Sequence, residues 1–304
     1  MTMLALFPLA LCASLHLASA TDGPSAAYRL RVDGANTHKV SGSTSTRFAI
    51  AHDALPTFTW AAKHTERGAR QVEFELAVVD KVTGATVHES GVQTSDQPFY
   101  QLPTALPAGK EFEWSVVWRD DAGRSSPPSE PAAFRTAIDD PSWTGVPWIG
   151  SNTTNVYRTE VSFATDADET LAAATLYICA LGYGKVSVNG KPATDEGLMT
   201  ISGWTNNERM NYFETYDLTA HMREASLTHG GAMALGVSLG HGWRDQSKFP
   251  RKDAEEAKAK GDEVDKVFRA ILTTTAVDGT VTVLTSTAAP TWSAAAGPVT
   301  SDGT

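Results

Sequence analysis

Aromatic rings and hydrogen-bonding side chains follow one another closely between residues 204 and 245. Trp and Tyr rings can stack on the apolar faces of sugar rings, while Asn, Asp and Arg side chains hold the hydroxyl groups. The candidate carbohydrate-binding residues are Trp204, Asn207, Arg209, Tyr212, Trp243, Arg244 and Asp245. Trp204 and Trp243 could equally pack within a domain or against another one, so binding and packing both remain open.

Carboxylates are the second group that could do chemistry on a sugar. Hydrolysis of a glycosidic bond needs two carboxyl groups about 5 to 10 Å apart, one of them with a raised pKa. The acidic candidates are Asp195, Glu196, Glu208, Asp217 and Asp245. Acidic residues at turns and strand ends usually cap backbone NH groups or face solvent. His241 lies between two glycines but without the pattern of a nucleophile elbow. We therefore expect no catalytic residue.

Composition narrows the classes of ligand. The chain has 35 acidic and 25 basic residues and a formal net charge of −10. This balance disfavours nucleic acids and anionic membrane surfaces, and neutral or cationic ligands fit better. The sequence contains neither metal-ligand spacing nor a phosphate-binding glycine loop. We expect neither a metal nor another cofactor.

The first 20 residues predict a secretory leader. They contain no charged residue and run apolar from Met3 to Leu17, before the small-x-small sequence Ala18–Ala20. A retained anchor is the alternative, but a stop-transfer flank is absent. Cleavage would place the protein outside the cell, or in the periplasm of a Gram-negative host. It would remove Cys12 and leave Cys179, in an apolar run, as a buried and inert thiol without a disulfide partner.

The elements that would position these residues are β-strands. The 304 residues, 41% of them apolar, suffice for two ordinary domains. Apolar residues alternate with polar ones over Val72–Val78 and Phe112–Trp118, as half-buried strands require. Short strands between turns rich in Pro, Gly and Ser predict an immunoglobulin or fibronectin III-like β-sandwich over residues 24–137. Trp60, Trp114 and Trp118 are expected in its core.

Residues 141–304 predict a second β-sandwich, so the fold class is all-β. The stretch Ile138–Pro141 is expected to be a linker, because Pro blocks strand pairing and the acidic pair favours a turn. Asn189–Gly190 and Asp278–Gly279 predict tight hairpins. Helical composition appears convincingly only in Lys252–Lys266, which lacks an apolar stripe and is expected to be a charged, solvated surface helix or loop.

The second half resembles the N-terminal domain of bacterial α-L-rhamnosidases. The match rests on the order and spacing of Trp143, Trp148–Gly150, Tyr157–Glu160, Ala174–Leu198, Gly203–Thr205, Tyr212, Thr215–Thr219, Leu235–Gly240 and Gly242–Trp243. The first half resembles the fibronectin-like module that often precedes that domain, through Phe58–Trp60, Glu113–Val116, Trp118–Asp120 and Phe134–Thr136. Together the resemblance covers about residues 56–297.

The resemblance implies a fold, a reaction and partners. It implies a jelly-roll or galactose-binding-like second sandwich, and a family that hydrolyses terminal α-L-rhamnose from glycosides and polysaccharides. The family's acid and base lie in an (α/α)6 barrel, which we expect this chain to lack. The chain would then be a non-catalytic N-terminal region, with a rhamnose-containing glycan or glycoside and a helical catalytic domain as partners. A free-standing carbohydrate-binding module and a structural adhesion module are the alternatives.

Overall fold

A computed structural model describes residues 23–36, 49–51, 53–138, 140–151, 153–164, 166–193, 210–240 and 266–297. The predicted leader over residues 1–20 lies outside the described residues, as does the charged segment 252–265. Within the described ranges, no helix combines the length and the apolar character that a membrane span requires.

The described residues of the first module form ten strands in two sheets. In chain order they are β1 (Pro24–Val32), β2 (Ala35–Asn36), β3 (Ala49–Ala51), β4 (Thr57–His64), β5 (Gln71–Asp80), β6 (Thr86–Glu89), β7 (Gln93–Thr94), β8 (Phe99–Gln101), β9 (Glu111–Asp120) and β10 (Ala132–Thr136). One sheet has the order β2-β1-β4-β8, and the other has the order β3-β10-β9-β5-β6, with β7 also paired to β5. The two sheets enclose one apolar core.

The alternation of apolar and polar residues along β9 matches the side chains that form the core of the first module. Phe112, Trp114, Val116 and Trp118 are all buried, while the residues between them on β9 are only partly covered. Trp114 packs against Phe58 of the opposite sheet, with ring centroids 4.8 Å apart. The predicted core positions of the three tryptophans of this module are confirmed.

The second module is also a sandwich, joined to the first by a 3-10 helix over Asp140–Trp143. Its strands are β11 (Ile149–Gly150), β12 (Val156–Ser162), β13 (Leu171–Leu181), β14 (Tyr183–Val188), β15 (Lys191–Pro192), β16 (Glu214–Asp217), β17 (Ala232–Gly240), β18 (Val267–Ala276), β19 (Val281–Ser286) and β20 (Ser293–Ala295). One sheet has the order β11-β18-β13-β16, with β19 paired to β18, and the other has the order β15-β14-β17-β12-β20. The all-β prediction is confirmed.

Both predicted hairpins form, but with different turns. Asn189 and Gly190 have φ angles of 49° and 79°, the left-handed pair that a two-residue turn between β14 and β15 requires. The hairpin between β18 and β19 is longer than predicted: three residues separate Ala276 from Thr280, whose backbone groups bond at 2.9 Å. Its left-handed residue is Gly279. A three-residue loop of this kind needs only one left-handed position, which glycine supplies.

In the described part of the second module there are two α-helices, α1 (Ala167–Thr170) and α2 (Thr219–Thr228). Helix α2 was not predicted from the residue pattern. Leu218, Met222 and Ala225 are buried at spacings of four and three, so the helix presents a narrow apolar stripe to the core between polar residues. Lys266, the one described residue of the charged segment, is buried just before β18, whereas solvent exposure was predicted.

Candidate functional site

Only one of the predicted carbohydrate-binding residues is described. Trp204, Asn207, Arg209, Trp243, Arg244 and Asp245 lie outside the described residues. The side chain of Tyr212 is 48% exposed. The next residue, Phe213, is partly buried, and its ring packs against Trp143 and Tyr177 at centroid distances of 5.9 and 6.0 Å. Tyr212 thus stays open to solvent beside a ring that is partly covered.

Tyr212 shares one end of the second sandwich with Tyr183. Strand β16 begins two residues after Tyr212 and runs antiparallel to β13, so its start lies toward the end of β13. Tyr183 opens β14 directly after β13 ends, and it pairs with Gly240 at the end of β17. Tyr183 is 38% exposed. Two exposed tyrosines therefore occupy the same end of this sandwich.

Asp217 has a structural task. Its Oδ1 atom accepts hydrogen bonds from the backbone N of Thr219 at 2.9 Å and from the Oγ1 of Thr219 at 2.5 Å. The first of these bonds satisfies the backbone donor of Thr219, the first residue of α2, from a position that precedes the N-cap residue Leu218. The other acidic candidates, Asp195, Glu196, Glu208 and Asp245, lie outside the described residues. The described part of the chain also contains no group of three His, Cys, Asp or Glu residues that could hold a metal ion.

Cys179 is buried on β13, as the sequence predicted. Burial raises the pKa of its thiol to about 11, although the nearby Arg269 acts in the opposite direction. A thiolate is therefore scarce at neutral pH, and the sulfur is shielded from solvent. Cys179 thus has the environment of an inert core residue rather than a nucleophile.

A second buried cluster lies where the two modules meet. We call it the junction cluster and define it as the buried residues Trp143, Tyr177 and Ile271, with the partly buried Ile138, Val146 and Phe213 packed against them. Trp143 comes from the 3-10 helix after the first module, whereas Tyr177 and Ile271 come from neighbouring strands β13 and β18. Their side chains lie on the face of that sheet opposite the main core. The linker thus covers the outer face of the second sandwich.

Arg135 brings a charge from the first module to this junction. It lies on β10, its residue exposure is 1%, and it forms an ion pair with Glu111 of β9. The guanidinium lies beside the Tyr177 hydroxyl, to which no described residue gives a well-directed hydrogen bond. Burial acts to lower the pKa of Arg135, but Tyr177 and Glu111 outweigh it and raise that pKa. The charged form is therefore stabilised within the contact between modules.

Gly109 brings the first module close to the same tyrosine. Its φ angle is 70°, and a Cβ at this position would lie 3.4 Å from Cγ2 of Ile138 and 3.7 Å from the Tyr177 hydroxyl. A residue with a Cβ atom is strained in this left-handed backbone conformation, whereas glycine is not. Gly109 therefore allows the backbone of the first module to lie close to Ile138 and to the Tyr177 hydroxyl.

Arg269 fixes the linker from the side of the second module. The Cζ atom of Arg269, on β18, lies 4.6 Å from the ring centroid of Trp143 and 4.7 Å from that of Trp148. A guanidinium between two indole rings makes two cation–π contacts. We call Trp143, Trp148 and Arg269 the linker clamp. Both tryptophans belong to the motifs that suggested the family, but the clamp was not predicted, since no local pattern links them to an arginine on a distant strand.

Two family models match the chain. The model described as "Alpha-L-rhamnosidase N-terminal domain" matches residues 169–304. The model described as "Rha78A-like, N-terminal immunoglobulin domain" matches residues 45–140. One range contains β3 to β10 of the first sandwich and the other contains β13 to β20 of the second, and the first module is therefore of the immunoglobulin type.

Relatives with the same enzyme name match over a limited length. Two proteins of Formosa agariphila named alpha-L-rhamnosidase are 26% and 24% identical over 235 and 210 residues. These alignments cover 66% and 63% of this chain but 23% and 22% of the relatives. This chain therefore spans less than a quarter of the length of these two relatives.

Solved structures share the fold. The α-L-rhamnosidase of Dictyoglumus thermophilum superposes with a TM-score of 0.66 at 17% identity, covering 86% of this chain and 30% of that one. The enzyme of Aspergillus terreus superposes with a TM-score of 0.62 at 19% identity, covering 91% of this chain and 30% of that one. Each superposition covers both sandwiches rather than a single domain.

Proposed function

Because the chain carries two N-terminal domains of the α-L-rhamnosidase family, we propose that it acts as the non-catalytic, scaffolding region of such a glycoside hydrolase. The reaction of the whole enzyme would be the hydrolysis of terminal α-L-rhamnose from glycosides or polysaccharides. Its acid and base would lie in a helical domain beyond the two sandwiches. The modules described here would hold that domain and its substrate in a fixed orientation.

The observation that carries the scaffold proposal is the junction cluster. Modules joined by a flexible tether would keep polar, solvated surfaces between them. Here Tyr177 and Ile271 are buried on the outer face of one sandwich, and the nearly inaccessible Arg135 of the other sandwich interacts with Tyr177. Each fully buried apolar side chain contributes about 1.5 to 3 kcal/mol. Several such residues suffice to favour one arrangement of the modules strongly.

Small-angle X-ray scattering tests the fixed arrangement. We expect the scattering curve of the chain to fit a single arrangement of the two modules. Trp143→Ala should increase the radius of gyration and broaden the distance distribution, because it removes a ring shared by the junction cluster and the linker clamp. Leu227→Ala, at an exposed position of α2, is the matched control and should leave the curve unchanged. Equal curves for all three proteins would contradict the scaffold.

An activity measurement tests the non-catalytic assignment. We expect the purified chain to release no p-nitrophenol from p-nitrophenyl α-L-rhamnoside above the rate of a boiled sample. Sustained turnover that scales with protein concentration would overturn the assignment.

Carbohydrate recognition is a second candidate function, favoured by the two exposed tyrosines at one end of the second sandwich. The ligand would be a rhamnose-containing glycan. Isothermal titration with a rhamnose-containing polysaccharide should give saturable heat that Tyr212→Ala reduces and Leu227→Ala does not. Trp204→Ala and Trp243→Ala test the remaining predicted rings. Featureless titrations would remove this candidate, and binding to proteins but not glycans would favour an adhesion module.

Export is part of the proposal. It is supported by the uncharged apolar run over residues 1–20. Expression in a secreting host should yield extracellular or periplasmic protein whose N-terminal residue is Thr21. Recovery of a membrane-bound protein that retains Met1 would favour an anchor instead.

A further inference from the structure

Strand β1 of the first module contains a bulge that turns two consecutive side chains to the same side. In a regular strand, buried residues are two positions apart, but here the buried residues Ala27 and Leu30 are three apart. The two residues between them, Tyr28 and Arg29, are both exposed. The pairing of β1 with β4 shifts register on both sides of Tyr28. Arg29 has a φ of 51°, which is uncommon for a residue with a side chain. Bulges of this kind redirect side chains, often toward functional surfaces.

The bulge opens onto a sheet face that carries a second exposed ring. In the β2-β1-β4-β8 sheet, Thr59 pairs with both Arg31 and Phe99, and Ala61 pairs with Tyr28. Tyr28 is 43% exposed and Phe99 is 51% exposed. From strand geometry the two rings lie roughly 10 Å apart across the sheet and roughly 7 Å apart along it. The small residues on β4 between them leave a flat surface.

This outer face is positively charged, in contrast to the whole chain. The outward residues of β1, β4 and β8 are Ser25, Tyr28, Arg29, Arg31, Thr57, Thr59, Ala61, Lys63, Phe99 and Gln101. Three of them are basic, and none of these ten is acidic. Asp33, at the rim, accepts a hydrogen bond from the backbone N of Thr57 at 2.8 Å, and its carboxylate partly offsets the positive charge of the face. A chain of net charge −10 therefore presents a local cationic face with two exposed rings.

Packing within the module does not account for these rings. The inner side of the same sheet already supplies the core through Leu30, Val32, Phe58 and Trp60. The guanidinium of Arg29 lies over the Tyr28 ring, 5.6 Å from its centroid, so one face of the ring contacts a positive charge and the opposite face is the one on which a sugar ring could stack. A polysaccharide that uses both features would combine sugar rings with negative charge. The separation of the rings exceeds the width of one sugar, so the ligand must be an oligomer.

We propose that this face, defined by Tyr28, Phe99, Arg29, Arg31 and Lys63, binds an anionic polysaccharide. Its sugar rings stack on Tyr28 and Phe99, and its carboxylates interact with the three basic side chains. The site is separate from the candidate carbohydrate-binding residues of the second module. It does not depend on the scaffold proposal, since a rigid or a flexible junction would leave it unchanged.

Polygalacturonate is the probe, with neutral dextran and dextran sulfate as comparisons. We expect saturable binding of polygalacturonate by the full chain in isothermal titration, and none of dextran. Tyr28→Ala and Phe99→Ala should each weaken binding about tenfold, the value of a lost ring contact. Lys63→Gln should weaken binding and reduce its dependence on salt, because one ionic contact is lost.

Matched variants separate the site from general effects. Leu227→Ala and Lys185→Gln change an exposed apolar residue and an exposed lysine of the second module, and both should bind like the unmodified chain. Tyr28→Phe keeps the ring and should retain most of the affinity. The proposal is overturned if polygalacturonate does not bind, if the ring variants bind it with unchanged affinity, or if dextran binds equally well. The proposal is also overturned if polygalacturonate and dextran sulfate both bind and only Lys63→Gln weakens that binding.

Discussion

The guanidinium of Arg135 in the first module lies beside the hydroxyl of Tyr177 in the second. The two residues come from strands β10 and β13, on opposite sides of the linker helix. Arg135 is also paired with Glu111, so the contact between the modules contains a buried charge together with its counterion. This arrangement makes the stability of each module depend on the other.

Arg135→Ala should lower the free energy of unfolding by about 1.5 to 3 kcal/mol, because it removes the buried charged partner of the mostly buried Glu111, which among the described residues keeps only Lys81 at 3.7 Å. Arg119→Ala is the matched control. Arg119 forms an ion pair with Glu73 at 2.8 Å in the same module, but both side chains are substantially exposed, so the loss should be below about 1 kcal/mol. Urea unfolding followed by tryptophan fluorescence measures both. Similar losses for the two variants would mean that Arg135 is not buried in solution.

Trp143→Ala should uncouple the modules. It removes an aromatic ring from the junction cluster and one half of the linker clamp, and such truncations cost about 3 to 5 kcal/mol in a packed site. Trp148→Ala removes only the other half of the clamp and should cost about 0.5 to 2 kcal/mol. In calorimetry we expect one transition for the unmodified chain and two for Trp143→Ala. A single transition in both proteins argues against coupling.

Protonation of Asp120 should account for most of the decrease in the free energy of unfolding of the first module at acidic pH. Its buried carboxylate accepts hydrogen bonds from the backbone N and Nε of Arg124, both at 2.7 Å, and contacts Nε2 of His64 at 3.1 Å. Burial acts to raise the pKa of Asp120, but these contacts outweigh it and hold that pKa below the ordinary 3.8. A lowered pKa in the folded state adds stability above the unfolded value, and this stability is lost as the pH falls.

Between about pH 5 and pH 2, the free energy of unfolding should therefore decrease more steeply for the unmodified chain than for Asp120→Asn. Asp121→Asn is the control, because Asp121 is exposed and contacts Arg70 at 3.8 Å. Its profile should parallel that of the unmodified chain. If Asp120→Asn retained the full acid slope, other carboxylates would be responsible.

Cys179 should be unreactive in the folded protein. With the thiol buried and its pKa raised to about 11, reaction with Ellman's reagent at pH 8 should be far slower than that of a free thiol and should reach one equivalent only after unfolding. The experiment uses a Cys12→Ser background so that one thiol is counted. Stoichiometric labelling of the native protein within minutes would contradict the buried position.

The sequence by itself determined the strands, the main cores and several turns. Alternation along β9 predicted which side chains face the core, because successive residues of a strand point to opposite faces. Asn189–Gly190 predicted a turn because few residue pairs tolerate two left-handed positions. The order of short motifs also predicted the family, since Trp148–Gly150 and Ala174–Leu198 occur at its characteristic spacing.

Only the tertiary structure decided how the modules meet and where charge accumulates. Arg135 and Tyr177 are neighbours across a domain boundary, and the periodicity of either strand contains no information about the other. Likewise, Arg29, Arg31 and Lys63 share one face only because β1 and β4 pair across a bulge, whereas the net charge of −10 suggested the opposite character. Periodicity reports each residue relative to its own strand, while contacts between distant strands depend on register and packing.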